Sequence, residues 1–132
     1  MVRVFAYGSL RKGEYNYARF LLNQSEFLGY GYVYGLLYTI ENKDYPALLP
    51  GNRFIKGEIY EVSRQLAKEI DEMEGFHRPS DISNDYHKIN VPVYDDQKNQ
   101  IEECPVYFFN NANPDQKKWV LTLLESNDYV KR

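Results

Sequence analysis

Residues 26–40 read Glu-Phe-Leu-Gly-Tyr-Gly-Tyr-Val-Tyr-Gly-Leu-Leu-Tyr-Thr-Ile, and this run allows few outcomes. Its aromatic and branched side chains suit a pleated strand, while Gly29, Gly31 and Gly35 would weaken any helix. The segment is predicted to be a long, bent strand in which the glycines permit bulges or close backbone approach.

More strand signals follow the same logic. Val2 to Ala6 is apolar and stops at Gly8-Ser9, as a buried strand feeding a tight loop would. Residues 45–51 form a short apolar piece with a Pro-Gly turn, and 54–62 alternate polar and apolar residues after Lys56. Two further strands, 86–94 and 101–109, flank Asp95-Asp96-Gln97-Lys98-Asn99, a hairpin signature.

Helical signals are fewer. Ser63 is a good N-cap, Leu66, Ile70 and Met73 form one apolar stripe, and Gly75 stands where a C-cap belongs. Asn113 before Pro114 predicts a second helix with Trp119, Val120, Leu123 and Leu124 on its apolar face. Tyr17, Phe20 and Leu21 suggest a helical turn or two over 16–22, and 77–85 reads as a loop. The sum is one α+β domain over residues 1–132: a small, mixed, strand-dominated β-barrel with two main flanking helices.

Composition narrows the function classes. At 132 residues and 43% hydrophobic content the chain can bury a core without metal or disulfide staples. Its net charge of -3 is interspersed, so the basic footprint of a nucleic-acid binder is missing. Thirteen Tyr and seven Phe are read as core and pocket lining. Cys104, the single cysteine, lies in a strand-like run and reads as a buried, inert thiol. No apolar stretch is long enough for a membrane span or a secretory leader, so a cytoplasmic location is expected. His77 and His87 have no cluster of ligating partners in sequence, and no metal site is expected.

Two places could carry chemistry. The stretch Tyr7-Gly8-Ser9-Leu10-Arg11-Lys12-Gly13 sets glycines and a hydroxyl just past a buried strand, where backbone N–H groups could surround an anion or a carbonyl oxygen; an ordinary strand-to-helix turn would look the same. The spacing is neither that of a phosphate loop nor of a dinucleotide loop, and Ser9 lacks the flanking glycines of a nucleophile elbow. On the Ser63 helix, about 100° per residue turns Asp71 and Glu72 well away from the apolar stripe, while Glu69 and Glu74 flank it on opposite sides. Glu74 sits in the last turn, where the helix dipole disfavours a carboxylate. It is either a solvated acid at a fraying end or a carboxyl with a raised pKa and a use as a general base.

Taken together, Phe5-Ala6-Tyr7-Gly8-Ser9-Leu10 with Gly13 and Asn16, Tyr45-Pro46-Ala47, Gly57-Glu58-Ile59-Tyr60, Ile70-Asp71-Glu72-Met73-Glu74-Gly75, Tyr86 and Asp128-Tyr129 resemble the gamma-glutamylcyclotransferase-like family, most of all its gamma-glutamylamine cyclotransferases. The resemblance implies a compact barrel whose pocket cyclises a gamma-glutamyl amine or isopeptide to 5-oxoproline and releases the amine. It implies Glu74 as the general acid and base, and Tyr7, Gly8, Ser9, Leu10 and Tyr86 around a small-molecule substrate, with no cofactor. Tyr86-His87-Lys88 departs from the family's Tyr-x-Arg: lysine keeps the charge but cannot make a planar bidentate contact. Residues 77–85 are expected to border the pocket. A small-metabolite binding module on the same fold, and a cyclotransferase acting on a gamma-glutamyl group attached to a biosynthetic intermediate, are the alternatives.

Overall fold

A computed structural model describes residues 1–132. Six strands appear: β1 (Val2–Ala6), β2 (Glu26–Ile40), β3 (Pro46–Val62), β4 (Tyr86–Tyr94), β5 (Gln100–Phe109) and β6 (Leu121–Leu123). One α-helix, α1 (Arg64–Met73), follows β3, with a π-helical turn at Tyr17–Leu21 and a 3-10 turn at Tyr129–Lys131. The sheet order is β1-β3-β2-β4-β5, every pairing is antiparallel, and β6 joins β2.

The strand-dominated α+β expectation holds, but the sheet does not close into a barrel. No ladder joins β1 to β5. Side chains span that seam instead: Arg3 on β1 reaches Glu102 on β5 at 3.1 Å, and the Tyr7 phenol donates to the carbonyl of Tyr107. A curled sheet with a side-chain seam has fewer backbone restraints there than a closed ladder.

The glycines of β2 act as the sequence suggested. Register shifts fall between Phe27 and Gly29 and between Gly35 and Leu36. The second lets β3 run through Pro50 and Gly51, so the two segments on either side of the Pro-Gly turn form one strand.

Alternation along β1 divides the core. Val4 and Ala6 face a cluster containing Leu66 and Ile70 of α1, whereas Phe5 and the following Tyr7 face a cluster built with Val33, Leu48, Ile55, Val93 and Val106. Helix α1 forms as expected: the Ser63 hydroxyl accepts from Leu66 N at 3.1 Å, and of the apolar stripe Leu66 and Ile70 are buried and Met73 half-buried. Cys104 is buried in β5, and burial, with Glu102 alongside, pushes its thiol up to about 12. No helix is long and apolar enough to cross a membrane.

The second helix does not form. Residues after Asn113 make only isolated turns, and the chain then enters β6, where Leu121 to Leu123 pair with Ile40, Thr39 and Tyr38. Two demands override the cap signal. The edge of β2 takes a partner, and the amides here are committed to distant carbonyls. Asn113 Nδ2 donates to Asn84 O at 3.1 Å, Asn110 Nδ2 to Asn84 O at 2.9 Å, and Gln116 Nε2 to Asp85 O at 3.1 Å.

Asn84 is the hub of that network, fully buried, accepting from His77 N at 2.7 Å and donating to Arg78 O at 2.8 Å. Asn84→Ala strands two backbone groups and is expected to cost about 2–4 kcal/mol in urea denaturation, against roughly 0.5 kcal/mol or less for Ser83→Ala on the exposed side of the loop.

Candidate active site

The loop after β1 has a one-sided hydrogen-bond pattern. Two of its carbonyls are occupied: Gly8 O accepts from Arg11 N at 3.0 Å, and Ser9 O from Asn16 N at 3.0 Å. The N–H groups of Gly8, Ser9 and Leu10 donate to nothing in the fold. Three adjacent free donors form a concavity suited to an oxyanion or carboxylate.

Buried charge holds this loop in shape. Arg11, 4% exposed, donates through Nε to Glu58 Oε2 at 2.7 Å and through a terminal nitrogen to Asp128 Oδ1 at 2.7 Å. Glu58 also accepts from Lys12 N at 2.9 Å and from the Tyr60 phenol at 2.7 Å. A buried ion pair with nearly every lone pair satisfied fixes geometry more than it adds stability. Gly8 fits because a Cβ there would stand 2.6 Å from Cγ of Pro46. The Pro46 carbonyl in turn accepts from the Tyr86 phenol at 2.6 Å, so Gly8, Pro46 and Tyr86 form one wall.

Opposite that wall is the end of α1. Phe76 N bonds to Asp71 O at 2.9 Å and Gly75 N to Glu72 O at 3.1 Å, a Schellman closure with Gly75 at φ 64°. Any side chain at Gly75 would also strike the Asp85 carboxylate, 2.3 Å from a Cβ placed there. Glu74 is the C-cap residue. The residue is half-buried, with its carboxyl where the recess opens to the outer chamber, and its pKa is pushed up to about 8. Burial is the main cause, with the charges of Asp71 and Asp85 adding to it. Burial likewise raises the phenols of Tyr7 and Tyr86, which stay neutral.

All six residues singled out in the sequence line one recess: Tyr7, Gly8, Ser9, Leu10, Glu74 and Tyr86, with Tyr45, Pro46 and Tyr107. The recess narrows to about 20 Å³ and shares Ser9, Tyr45, Glu74 and Tyr86 with an outer chamber of about 180 Å³. That chamber adds Tyr15, Asn16, Arg19, Met73, Asp85 and Gln116. Larger hollows exist, one of about 260 Å³ along α1 and an apolar cleft of about 540 Å³ beside β4 and β5, but neither contains the free donors or Glu74. Chemistry, not size, selects the site.

Three sequence readings need correction or extension. Asp71 does not point away into solvent: it accepts from the Tyr107 phenol and from Lys88 Nζ at 2.9 Å. Lys88 therefore lies in the hollow along α1 and not in the chamber with Glu74. Of the loop 77–85 only Asp85 reaches the chamber wall. Tyr107, Arg19 and Gln116 were not singled out at all, because nothing in their local pattern separates them from ordinary strand or turn residues. Asn16 and Tyr45-Pro46 carried a signal only as landmarks of the resemblance. No group of three His, Cys, Asp or Glu side chains is gathered as metal ligands would be.

The chain is 36% identical over 93 residues to gamma-L-glutamyl-butirosin B gamma-glutamyl cyclotransferase of Niallia circulans, a match covering 70% of this chain and 58% of that protein. It is 32% identical over 137 residues to MJ1514 of Methanocaldococcus jannaschii, provisionally named a gamma-glutamylcyclotransferase, with 98% of this chain and 96% of that protein covered. In fold it resembles the crystal structure of an AIG2-like protein of Mus musculus, with a TM-score of 0.72 over 98% of this chain and 88% of that one at 24% identity. The sequence profile described as gamma-glutamyl cyclotransferase, AIG2-like, matches residues 4–131, and the chain belongs to that family.

Proposed function

We propose that the protein is a cyclotransferase that converts a gamma-glutamyl amine or isopeptide to 5-oxoproline, with Glu74 as general base and then general acid. The observation that carries this reading is the meeting in one recess of three unpaired backbone donors and a carboxyl whose pKa is pushed up to about 8. The names of its relatives agree with this class of reaction.

The chemistry asks little of the protein. The substrate's own alpha-amine is the nucleophile, so the enzyme holds it against the gamma-carbonyl and removes a proton. Glu74 accepts that proton as the new N–C bond forms, and the carbonyl oxygen becomes an oxyanion. Collapse restores the carbonyl, the bond to the leaving nitrogen breaks, and Glu74 returns the proton to that nitrogen. The N–H groups of Gly8, Ser9 and Leu10 supply the acceptor's partners, for the oxyanion or for the glutamyl carboxylate. Tyr7 and Tyr86 exclude water and keep the dielectric low around Glu74.

Glu74→Gln keeps the shape and removes the base, so the folded variant should lose about 10²–10⁴ of kcat in a mass-spectrometric assay of 5-oxoproline from gamma-glutamyl amines, gamma-glutamyl-epsilon-lysine included. Release of no 5-oxoproline by the native protein would favour a metabolite-binding role for the same pocket. Gly8→Ala drives a methyl into Pro46 and should lower kcat/KM roughly tenfold or more, whereas Ser9→Ala leaves the backbone donors in place and should cost less.

The ionisation of Glu74 sets a pH signature. A base must be deprotonated, so kcat/KM should rise with pH along a limb centred near 8. Stability runs the other way. With the folded pKa raised from 4.5 to about 8, the stabilising contribution is complete below 4.5 and is lost as pH rises through 8. Relative to Glu74→Gln, the native protein should lose on the order of 2–3 kcal/mol across that window in urea titrations, the partial exposure of the residue reducing the full electrostatic value.

A further inference from the structure

Asn16 has an unspent group. It is 3% exposed, and its Oδ1 is the one buried side-chain polar atom in the fold with no hydrogen-bond partner. Asn16 stands at the N-cap of the turn Tyr17–Leu21, where an asparagine oxygen commonly accepts from the backbone, yet it makes no such cap bond. Its nitrogen is committed: Nδ2 donates to Ser9 Oγ at 2.9 Å and approaches Met73 Sδ at 3.6 Å. A thioether only accepts, which orients the amide with nitrogen toward Ser9 and Met73 and oxygen away from them.

This residue lies between the two halves of the site. Ser9 belongs to the loop with the free donors, and Met73 immediately precedes Glu74. Asn16 itself lines the outer chamber with Ser9, Glu74 and Asp85. An enclosed carbonyl oxygen left unpaired is costly, so the arrangement is completed when a donor enters.

We propose that Asn16 Oδ1 is the acceptor for the alpha-amino group of the ligand, making Asn16 a substrate-positioning residue. The assignment rests on the gamma-glutamyl reading above and adds to it. A neutral primary amine has two N–H bonds and one lone pair. With one N–H on Asn16, the other faces Glu74 and the lone pair is aimed at the gamma-carbonyl. The Nδ2 bond to Ser9 adds a second effect: the Ser9 oxygen is used as an acceptor, so its own hydrogen is free to donate into the recess.

The test is a binding cycle in the Glu74→Gln background, in which no ligand is consumed. Calorimetry would compare gamma-N-methyl-L-glutamine with its counterpart lacking the alpha-amine, N-methylglutaramic acid. Replacing Asn16 by Ala, or by the near-isosteric Leu should the smaller residue unfold the chain, is expected to lower the preference for the amino ligand about tenfold. Asn16→Asp, which keeps the acceptor and loses the donor to Ser9, is expected to retain that preference. Equal weakening of both ligands in the Ala or Leu variant, or an unchanged preference, overturns the assignment and leaves Asn16 a scaffold residue. Binding of neither ligand in the starting background overturns the gamma-glutamyl reading itself, and this assignment with it.

Discussion

The long antiparallel pairing of β2 with β3 is the frame on which everything else hangs. It runs from Glu26 opposite Glu61 to Thr39 opposite Pro46, and each strand then offers its other edge. Strand β1 takes the free edge of β3, while β4 and β6 take that of β2. Because side chains alternate with a period of two, the register of this ribbon decides which residues face which core. Glu58 shows what depends on it. Set opposite Ala6 on one side and Tyr30 on the other, it places its carboxylate beneath the loop and receives Arg11 and Lys12 N. A slip of one residue would turn Glu58 to the other face and leave the buried Arg11 with Asp128 as its only carboxylate partner.

From that frame the site follows through contacts that leave little freedom. The loop is held by Arg11, the carbonyls of Gly8 and Ser9 are used internally, and the N–H groups of Gly8, Ser9 and Leu10 are left over. Pro46, the first residue of β3, touches both Gly8 and Tyr86, so the wall of the recess is tied to the ribbon itself. The opposite wall ends a helix at the position where dipole, burial and two neighbouring acids all act against a charged carboxylate. Such a group is poorly placed for stability and well placed for moving protons near neutral pH, a conflict typical of functional sites.

Much of this was legible in the chain. The strand-forming run from Phe27 to Ile40, the hairpin around Asp95, the Ser63 cap and the Gly75 stop all express local preferences that the tertiary fold keeps. The loop and Glu74 were visible as candidates, and their resemblance to a family pattern joined them. The failures share a cause. The Asn113-Pro114 cap was overruled because Asn113 and Gln116 serve carbonyls about thirty residues away, and because β2 needed an edge partner. Asp71, turned outward by helical periodicity, met Tyr107 and Lys88 arriving from β5 and β4.

Local sequence determined the elements and their ends, since caps, turns and alternation act over a few residues. It also determined which side chains had the right chemistry, including the loop that leaves its donors free and the acid at the helix end. Only the tertiary structure decided that these two meet, that the sheet stays open along β1 and β5, and that Asn16 stands between Ser9 and Met73 with an oxygen unspent. The reason is physical: burial, dielectric and hydrogen-bond satisfaction are set by residues distant in sequence, and no local pattern encodes which of them will arrive.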